Sequence, residues 1–329
     1  MNDRAVSVLE KYDIEVLRSW KGRGAILCET KTGVKILKEY KGSSERLLLQ
    51  QKLLHSIKEK GYTRIEGILP TREGDLLVRD EDMTAYYLKD YFPGKECNSK
   101  DLEDCEGAMR QLALYHLAAA LPELAAECSP GSFSHIREME KHNRELKRVR
   151  KYLKEKSQKT EFEMVLSKYY DFFQEKAANV ASESSKMNQD KSKSDSRLFC
   201  HGDFQHHNLL FSGNHVFLIN FEKFALDTPA RDISLFFRKI MEKNGWSTVW
   251  GQRLLGAYEE YKPLTSAEKM DLYYRLSYPE KFWKIVNFYY NSGKAWIPAK
   301  NLEKLEKLLK QEEEKKQYLE ENFMQWVLQ

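Results

Sequence analysis

The stretch LFCHGDFQHHNLLFSGNHVFLINFEKFALDTPARD, from Leu198 to Asp232, decides how the rest of the chain is read. A short apolar run, Leu198 to Cys200, leads into three polar residues, His201, Asp203 and Asn208. Two more apolar runs follow, Leu209 to Phe211 and Val216 to Ile219, with Ser212-Gly213-Asn214 between them. Ser, Gly and Asn together are turn chemistry, so the segment predicts a polar loop followed by a hairpin. A rigid hairpin holds whatever lies at its two ends at a set separation.

The polar residues fall at the spacing H-x-D-x-x-x-x-N, that of a kinase catalytic loop. In that chemistry the aspartate accepts the proton of an attacking hydroxyl, and the asparagine amide oxygen holds a magnesium ion. The second metal ligand is an aspartate about a dozen residues further on, across the hairpin. Here that position is Asn220. An amide offers an oxygen without the negative charge, so affinity for a hard cation falls. Glu222, two residues on and on the same face of an extended segment, is a partial replacement.

Towards the N-terminus the first ninety or so residues read as strands with turn punctuation. Ile14 to Trp20, Ala25 to Glu29 and Val34 to Tyr40 are separated by Lys21-Gly22-Arg23-Gly24 and by Lys31 to Gly33, an antiparallel meander. From Ser44 the period becomes helical, with Leu47, Leu48, Gln51, Leu54 and Ile57 in step, Ser43 or Ser44 as cap and Gly61 as stop. Short apolar runs return at Ile65 to Leu69, Asp75 to Arg79 and Thr84 to Tyr91, closed by Pro93-Gly94. The remainder is mostly helical. Phe133 to Ala178 predicts long charged helices with Val149, Tyr152, Phe162, Val165, Tyr169 and Phe172 as their apolar stripe. Ser182 to Ser196 is nearly devoid of apolar residues and predicts an exposed, flexible polar insertion. Leu302, Leu305, Leu308, Leu309 and Tyr318 mark a terminal helix.

A chain of 329 residues has room for two units at roughly 150 residues per domain. The formal net charge is +4 on a chain that is 32% charged, which sets up no electrostatic field for nucleic acid or an anionic membrane. Five scattered cysteines without a C-x-x-C pair predict free thiols in a reducing compartment. With no apolar run of membrane-spanning length, the expected location is the cytoplasm or a structure assembled from it.

The H-G-D-x-x-x-x-N loop, the hairpin, the I-N-F-E strand and Asp227-Thr228-Pro229-Ala230-Arg231-Asp232 together resemble the aminoglycoside phosphotransferase and choline kinase superfamily. More narrowly, the chain is similar to the CotS-like spore coat proteins of endospore-forming bacteria, through Val34 to Lys41, Glu45-Arg46-Leu47 and the long basic helices before the polar insertion. The resemblance implies an α+β, two-lobed protein-kinase-like fold. Residues 1–93 would form an antiparallel-sheet, nucleotide-binding lobe with one main helix, and residues 94–329 a mainly helical catalytic and substrate lobe. It also implies ATP and magnesium as cofactors. The partners would be a small-molecule hydroxyl acceptor or other spore coat proteins. Asp203 would be the base, His201 would brace the loop, and Asn208 and Asn220 would hold the metal. Lys38 would reach the phosphates, with Lys35 the lesser candidate. Glu45 is the nearest carboxylate to pair with Lys38, although Gln50 or Gln51 stands nearer the family's glutamate position. Backbone groups of Leu88-Lys89-Asp90-Tyr91 would form the adenine hinge. Two readings follow, an ATP-dependent small-molecule phosphotransferase with weakened metal binding, or an inactive pseudokinase serving as a coat component.

Overall fold

Alternation of apolar and polar residues in the N-terminal meander produces the expected sheet in the computed structural model, which describes residues 7–22, 24–128, 135–189, 197–291 and 298–327. Strands β1 (Val16–Gly22), β2 (Ala25–Thr30) and β3 (Gly33–Glu39) pair antiparallel in sequence. Helix α1 (Ser44–Glu59) follows, capped by the Ser43 hydroxyl, which accepts from the Arg46 N–H at 3.3 Å. Next come β4 (Ile68–Leu69), β5 (Val78–Arg79) and β6 (Ala85–Asp90). Strand β6 pairs with β3, β4 and β5, which closes a six-stranded sheet in the order β1-β2-β3-β6-β4 with β5 on β6. One face of this sheet, carrying Cys28, Leu37, Val78 and Leu88, packs with Val8, Leu9 and Tyr12 into a core. The opposite face of β3 carries Ile36 and Lys38, because side chains alternate along a strand.

Beyond β7 (Lys95–Glu96) lie α2 (Leu102–Ala118), α3 (Pro122–Ala126), α4 (His135–Glu155) and α5 (Glu161–Gln189). The signature segment then forms β8 (Leu198–Cys200), β9 (Leu209–Ser212), β10 (His215–Leu218) and β11 (Ala225–Asp227). Ser212 pairs with His215 across a tight turn in which Gly213 has φ +56°. The C-terminal helices are α6 (Ala230–Met241), α7 (Thr248–Glu259), α8 (Ser266–Ser277), α9 (Glu280–Asn291) and α10 (Pro298–Val327). Asp232 sits buried in the first turn of α6, which begins two residues earlier behind Pro229.

Two compact units result, Met1–Glu127 with Leu198–Ala225, and Cys128–Arg197 with Leu226–Gln329. The boundary expected near Pro93 lies inside the first of them, which holds the sheet, α1, α2 and the loop and hairpin. The core of the second unit is built from Met139, Leu146, Leu153, Phe162, Leu166, Tyr170 and Phe173 against Tyr278, Phe282, Val286 and Leu305.

Two expectations for this second unit need correction. Of the predicted stripe, Phe162 is inside and Val149 and Val165 pack against the core, but Tyr169 and Phe172 of α5 are exposed, as is Tyr152 on α4, and Leu166, Tyr170 and Phe173 are buried instead. Aromatic and aliphatic residues lie on both sides of the stripe, so periodicity alone does not choose the face. The polar stretch expected as a loop over 182–196 is helical as far as Gln189. Ala181 just before it and Ser184 within it continue the buried face after Ala177. Residues 190–196 lie outside the described residues.

Phe282 tests this packing. It is fully buried, stacked on Phe173 with ring centroids 4.4 Å apart and edge-on to Tyr170 at 5.4 Å. Phe282→Ala is expected to lower unfolding free energy by about 3–5 kcal/mol in urea titrations. A loss below about 1 kcal/mol would mean that this core is loosely packed.

Candidate functional site

The loop after β8 is shaped by a glycine that nothing else can replace. Gly202 has φ +77°, and a Cβ there would lie 1.8 Å from the Lys223 carbonyl oxygen. On either side of it, His201 and Asp203 lock together: the Asp203 N–H donates to His201 Nδ1 at 3.2 Å, and His201 Nε2 donates to the Ile219 carbonyl at 2.9 Å. This fixes the neutral tautomer with its proton on Nε2. His201 is fully buried, its ring 4.4 Å from that of Phe221. It therefore ties the loop to the end of the hairpin at Ile219.

Asp203 faces outward, its side chain 18% exposed. Its Oδ1 accepts from Gln205 Nε2 at 2.5 Å and its Oδ2 from Lys223 Nζ at 3.0 Å. Partial burial pushes the carboxyl up, but Lys223 and Gln205 outweigh this and hold it below the usual carboxylate range. It is ionised at neutral pH. The Asn208 amide donates to the Asp203 carbonyl at 2.8 Å, which closes the loop.

Across the hairpin, Asn220 occupies the left-handed region at φ 69°, ψ 63°, a conformation that Asn tolerates better than most residues. Its Nδ2 donates to Asn208 Oδ1 at 2.9 Å. Its Oδ1 accepts from two ammonium groups, Lys89 at 2.8 Å and Lys38 at 3.2 Å. Lys38 also pairs with Glu222 at 2.5 Å, and the Tyr87 hydroxyl donates to the same Glu222 oxygen at 2.6 Å. Lys89 pairs with Glu66 at 2.7 Å, and both side chains are essentially removed from solvent, at 2% and 0% exposure. The other Glu66 oxygen accepts from the Phe221 N–H at 3.1 Å. Burial pushes Glu222 up, but Lys89, Lys38 and the Tyr87 hydroxyl bring it down to about 2.

The expected residues divide accordingly. Lys38, His201, Asp203, Asn208 and Asn220 come together in the first unit. Glu45 does not join them: it is exposed in the first turn of α1, and Lys38 takes its partner from Glu222. Gln50 is buried in the core, and its amide finds no hydrogen-bond partner among the described residues. The implied hinge role of the Lys89 backbone does not fit its place in the sheet. Lys89 stands opposite Ile36 of β3 on one side and Ile68 of β4 on the other, so its backbone is committed to pairing. Its ammonium reaches the site instead. Tyr91 follows the end of β6, half-buried. Lys35 pairs with Asp90 at 2.9 Å, away from Asn220. Glu66 and the side chain of Lys89 went unread in the sequence, and Glu222 was noted only as a substitute for lost charge.

The donor set fits a divalent cation poorly. Magnesium ligates at about 2.0–2.1 Å and draws on anionic oxygens. Here both candidate ligands are neutral amides. Both lone pairs of Asn220 Oδ1 face lysines, and Asn208 Oδ1 is engaged by Asn220. The charges of Lys38 and Lys89 are already balanced by Glu222 and Glu66.

Residues 6–322 match the family described as "Spore coat putative kinase YutH". The chain is 26% identical over 317 residues to spore coat protein S of Bacillus subtilis (strain 168), covering 91% of this chain and 86% of that protein. An aminoglycoside phosphotransferase from Alicyclobacillus acidocaldarius superposes with a TM-score of 0.81 at 19% identity, over 98% of this chain and 96% of its own. A spectinomycin phosphotransferase in complex with ADP and spectinomycin gives 0.60 at 13% identity, over 94% and 97%. The fold is thus that of the kinase-like phosphotransferases, mixed α+β with an antiparallel sheet in the N-terminal region and a helical C-terminal part.

The depressed Glu222 carboxyl generates a pH test. Its folded value of about 2 lies below the ordinary 4.5, so its stabilising contribution is complete above about pH 4.5 and fades as pH falls towards 2. Glu222→Gln is expected to be less stable than the parent at neutral pH, with the gap in urea midpoint closing on acidification. A gap that stays constant from neutral pH down to about pH 3 would show that the ionised carboxylate is not what Lys38 and Lys89 hold.

Proposed function

Because the chain belongs to the YutH family of spore coat kinase-like proteins, we propose that it is a spore-coat-associated protein that keeps the phosphotransferase fold without magnesium-dependent phosphotransfer. One observation carries this reading. The two side-chain oxygens that would ligate the metal, on Asn208 and Asn220, already accept hydrogen bonds from within the site. The relative named spore coat protein S supports the coat association. On this reading the chain is made in the cytoplasm and incorporated into the coat, where its partners are other coat proteins.

A second reading is an ATP-dependent small-molecule phosphotransferase of low activity. It is favoured by the catalytic loop itself, in which Asp203 is ionised, partly exposed and braced by His201. The structural relative bound to ADP and spectinomycin points the same way. Residues 1–93 would then form the nucleotide-binding lobe. Lys38 would lie along the phosphates, with Tyr91 at the adenine edge, and Asp203 would take the proton from an acceptor hydroxyl.

Turnover of radiolabelled ATP with magnesium, compared between the native chain and Asp203→Ala, separates the two. The expected result is one background rate for both proteins. A native rate that Asp203→Ala lowers by about 100-fold or more, the usual scale of a positioned general base, would establish the phosphotransferase reading instead.

A further inference from the structure

We propose that Lys89 is a resident cation: its ammonium takes the place of the divalent metal, so the site keeps its arrangement with no metal bound. This rests on the preceding reading only in taking the loop and hairpin as the former metal site. The geometry is that of a cation site with the cation supplied by the chain. Lys89 Nζ lies 2.8 Å from Asn220 Oδ1 and 2.7 Å from Glu66 Oε2, with Glu222 Oε1 at 3.9 Å, so three oxygens from two segments, the one holding Glu66 and the turn after β10, surround it.

The lysine and both of those segments are held in place. Lys89 sits mid-sheet between β3 and β4. The Glu66 N–H donates to the Leu218 carbonyl at 3.3 Å, and its carboxylate accepts the Phe221 N–H, so the counterion is tied to both ends of the turn after β10. Asn220 relays the arrangement to the catalytic loop through Asn208. A metal in a working site of this class joins the loop asparagine to the residue across the hairpin. Lys89 does the same through the Asn220 amide, with one charge and no demand for octahedral geometry.

The arrangement also excludes a real metal. An ion about 2.1 Å from Asn220 Oδ1 would have to displace a lysine whose ammonium is buried and whose carboxylate partner is fully enclosed. Asn220 is thus a consequence of the lysine as much as a missing charge. An aspartate there, with Lys89 in place, would pair with the ammonium and remain closed to metal.

Manganese(II) is the probe, followed by its paramagnetic resonance signal and by calorimetry on the full chain, without nucleotide. The native protein and Asn220→Asp are both expected to show no saturable binding at millimolar Mn(II), and chelator should leave their melting temperatures unchanged. The variant Lys89→Met/Glu66→Gln/Asn220→Asp removes the ammonium together with its counterion and restores the carboxylate. It is expected to gain saturable binding, about tenfold tighter or more than the native chain.

Saturable binding to the native protein that is lost in Asn208→Ala/Asn220→Ala would overturn the proposal. So would a gain of binding from Asn220→Asp alone, since Lys89 would then not be the blocking group. A folded triple variant that stays blind to Mn(II) would overturn it equally. Should that variant not fold, the native chain and Asn220→Asp still decide. Phosphotransfer without any divalent ion would remove the functional reading and leave this one standing. Mn(II) binding without turnover would do the reverse.

Discussion

An ammonium group buried beside a carboxylate is expensive unless every charge is answered, and the Lys89–Glu66 pair meets that condition. The two side chains are 2% and 0% exposed, at 2.7 Å from one another. Each makes one further hydrogen bond, Lys89 to the Asn220 amide and Glu66 to the Phe221 N–H. Removing one member of such a pair leaves the other charged and dry, at a cost of about 3–5 kcal/mol. The turn after β10 is therefore held in place by electrostatics from the sheet. Everything that depends on that turn inherits the constraint, including the left-handed Asn220, the hydrogen bond to Asn208 and the position of Glu222 under Lys38.

The catalytic loop is constrained on its other side by sterics. Gly202 packs against the Lys223 carbonyl so closely that any side chain would collide with it. The histidine before it is pinned by two hydrogen bonds to the loop and the hairpin. These features hold the loop in one geometry, and Asp203 within it stays ionised and partly exposed. Lys223 is 67% exposed, and ion pairs of that kind contribute about 0.2–1 kcal/mol, which an incoming group can easily replace. On the reading proposed above, the obstacle to phosphotransfer lies on the side of Asn208 and Asn220, in a buried pair that nothing entering from solvent displaces easily.

Much of this was legible in the sequence wherever the signal was local. The meander, the Ser43 cap, the hairpin turning at Gly213 and the H-x-D-x-x-x-x-N loop all follow from spacing within a few residues. So did the departure at Asn220. What escaped depends on contacts between distant segments. Glu66 meets the Phe221 N–H across a separation of 155 residues, and nothing near Glu66 distinguishes it from a surface acid. The resemblance makes Lys89 part of the hinge backbone, one residue before β6 ends at Asp90. Which face of β6 its side chain occupied, and what waited there, needed the pairing of Lys38 with Tyr87 and of Ile36 with Lys89. The face of α5 escapes for a related reason, since apolar side chains flank the stripe on both sides and ring contacts with Phe282 of α9 pick out Tyr170 and Phe173.

The missing carboxylate at Asn220 looks sufficient, in sequence, to explain a weak metal site, yet the structure assigns it a secondary part. With aspartate at that position the immediate cluster would hold three carboxylates against two ammoniums. The surplus of one charge would be shared among Lys38, Lys89 and solvent before a hydrated divalent ion, which dehydrates reluctantly, could compete for it. The amide brings the count to two against two and lets the Asn220 nitrogen donate to Asn208, which a carboxylate could not do at neutral pH. Asn220 thus completes a charge-balanced, hydrogen-bonded arrangement whose defining element is the lysine behind it. Exchanging the one residue that departs visibly from the motif would leave that arrangement closed.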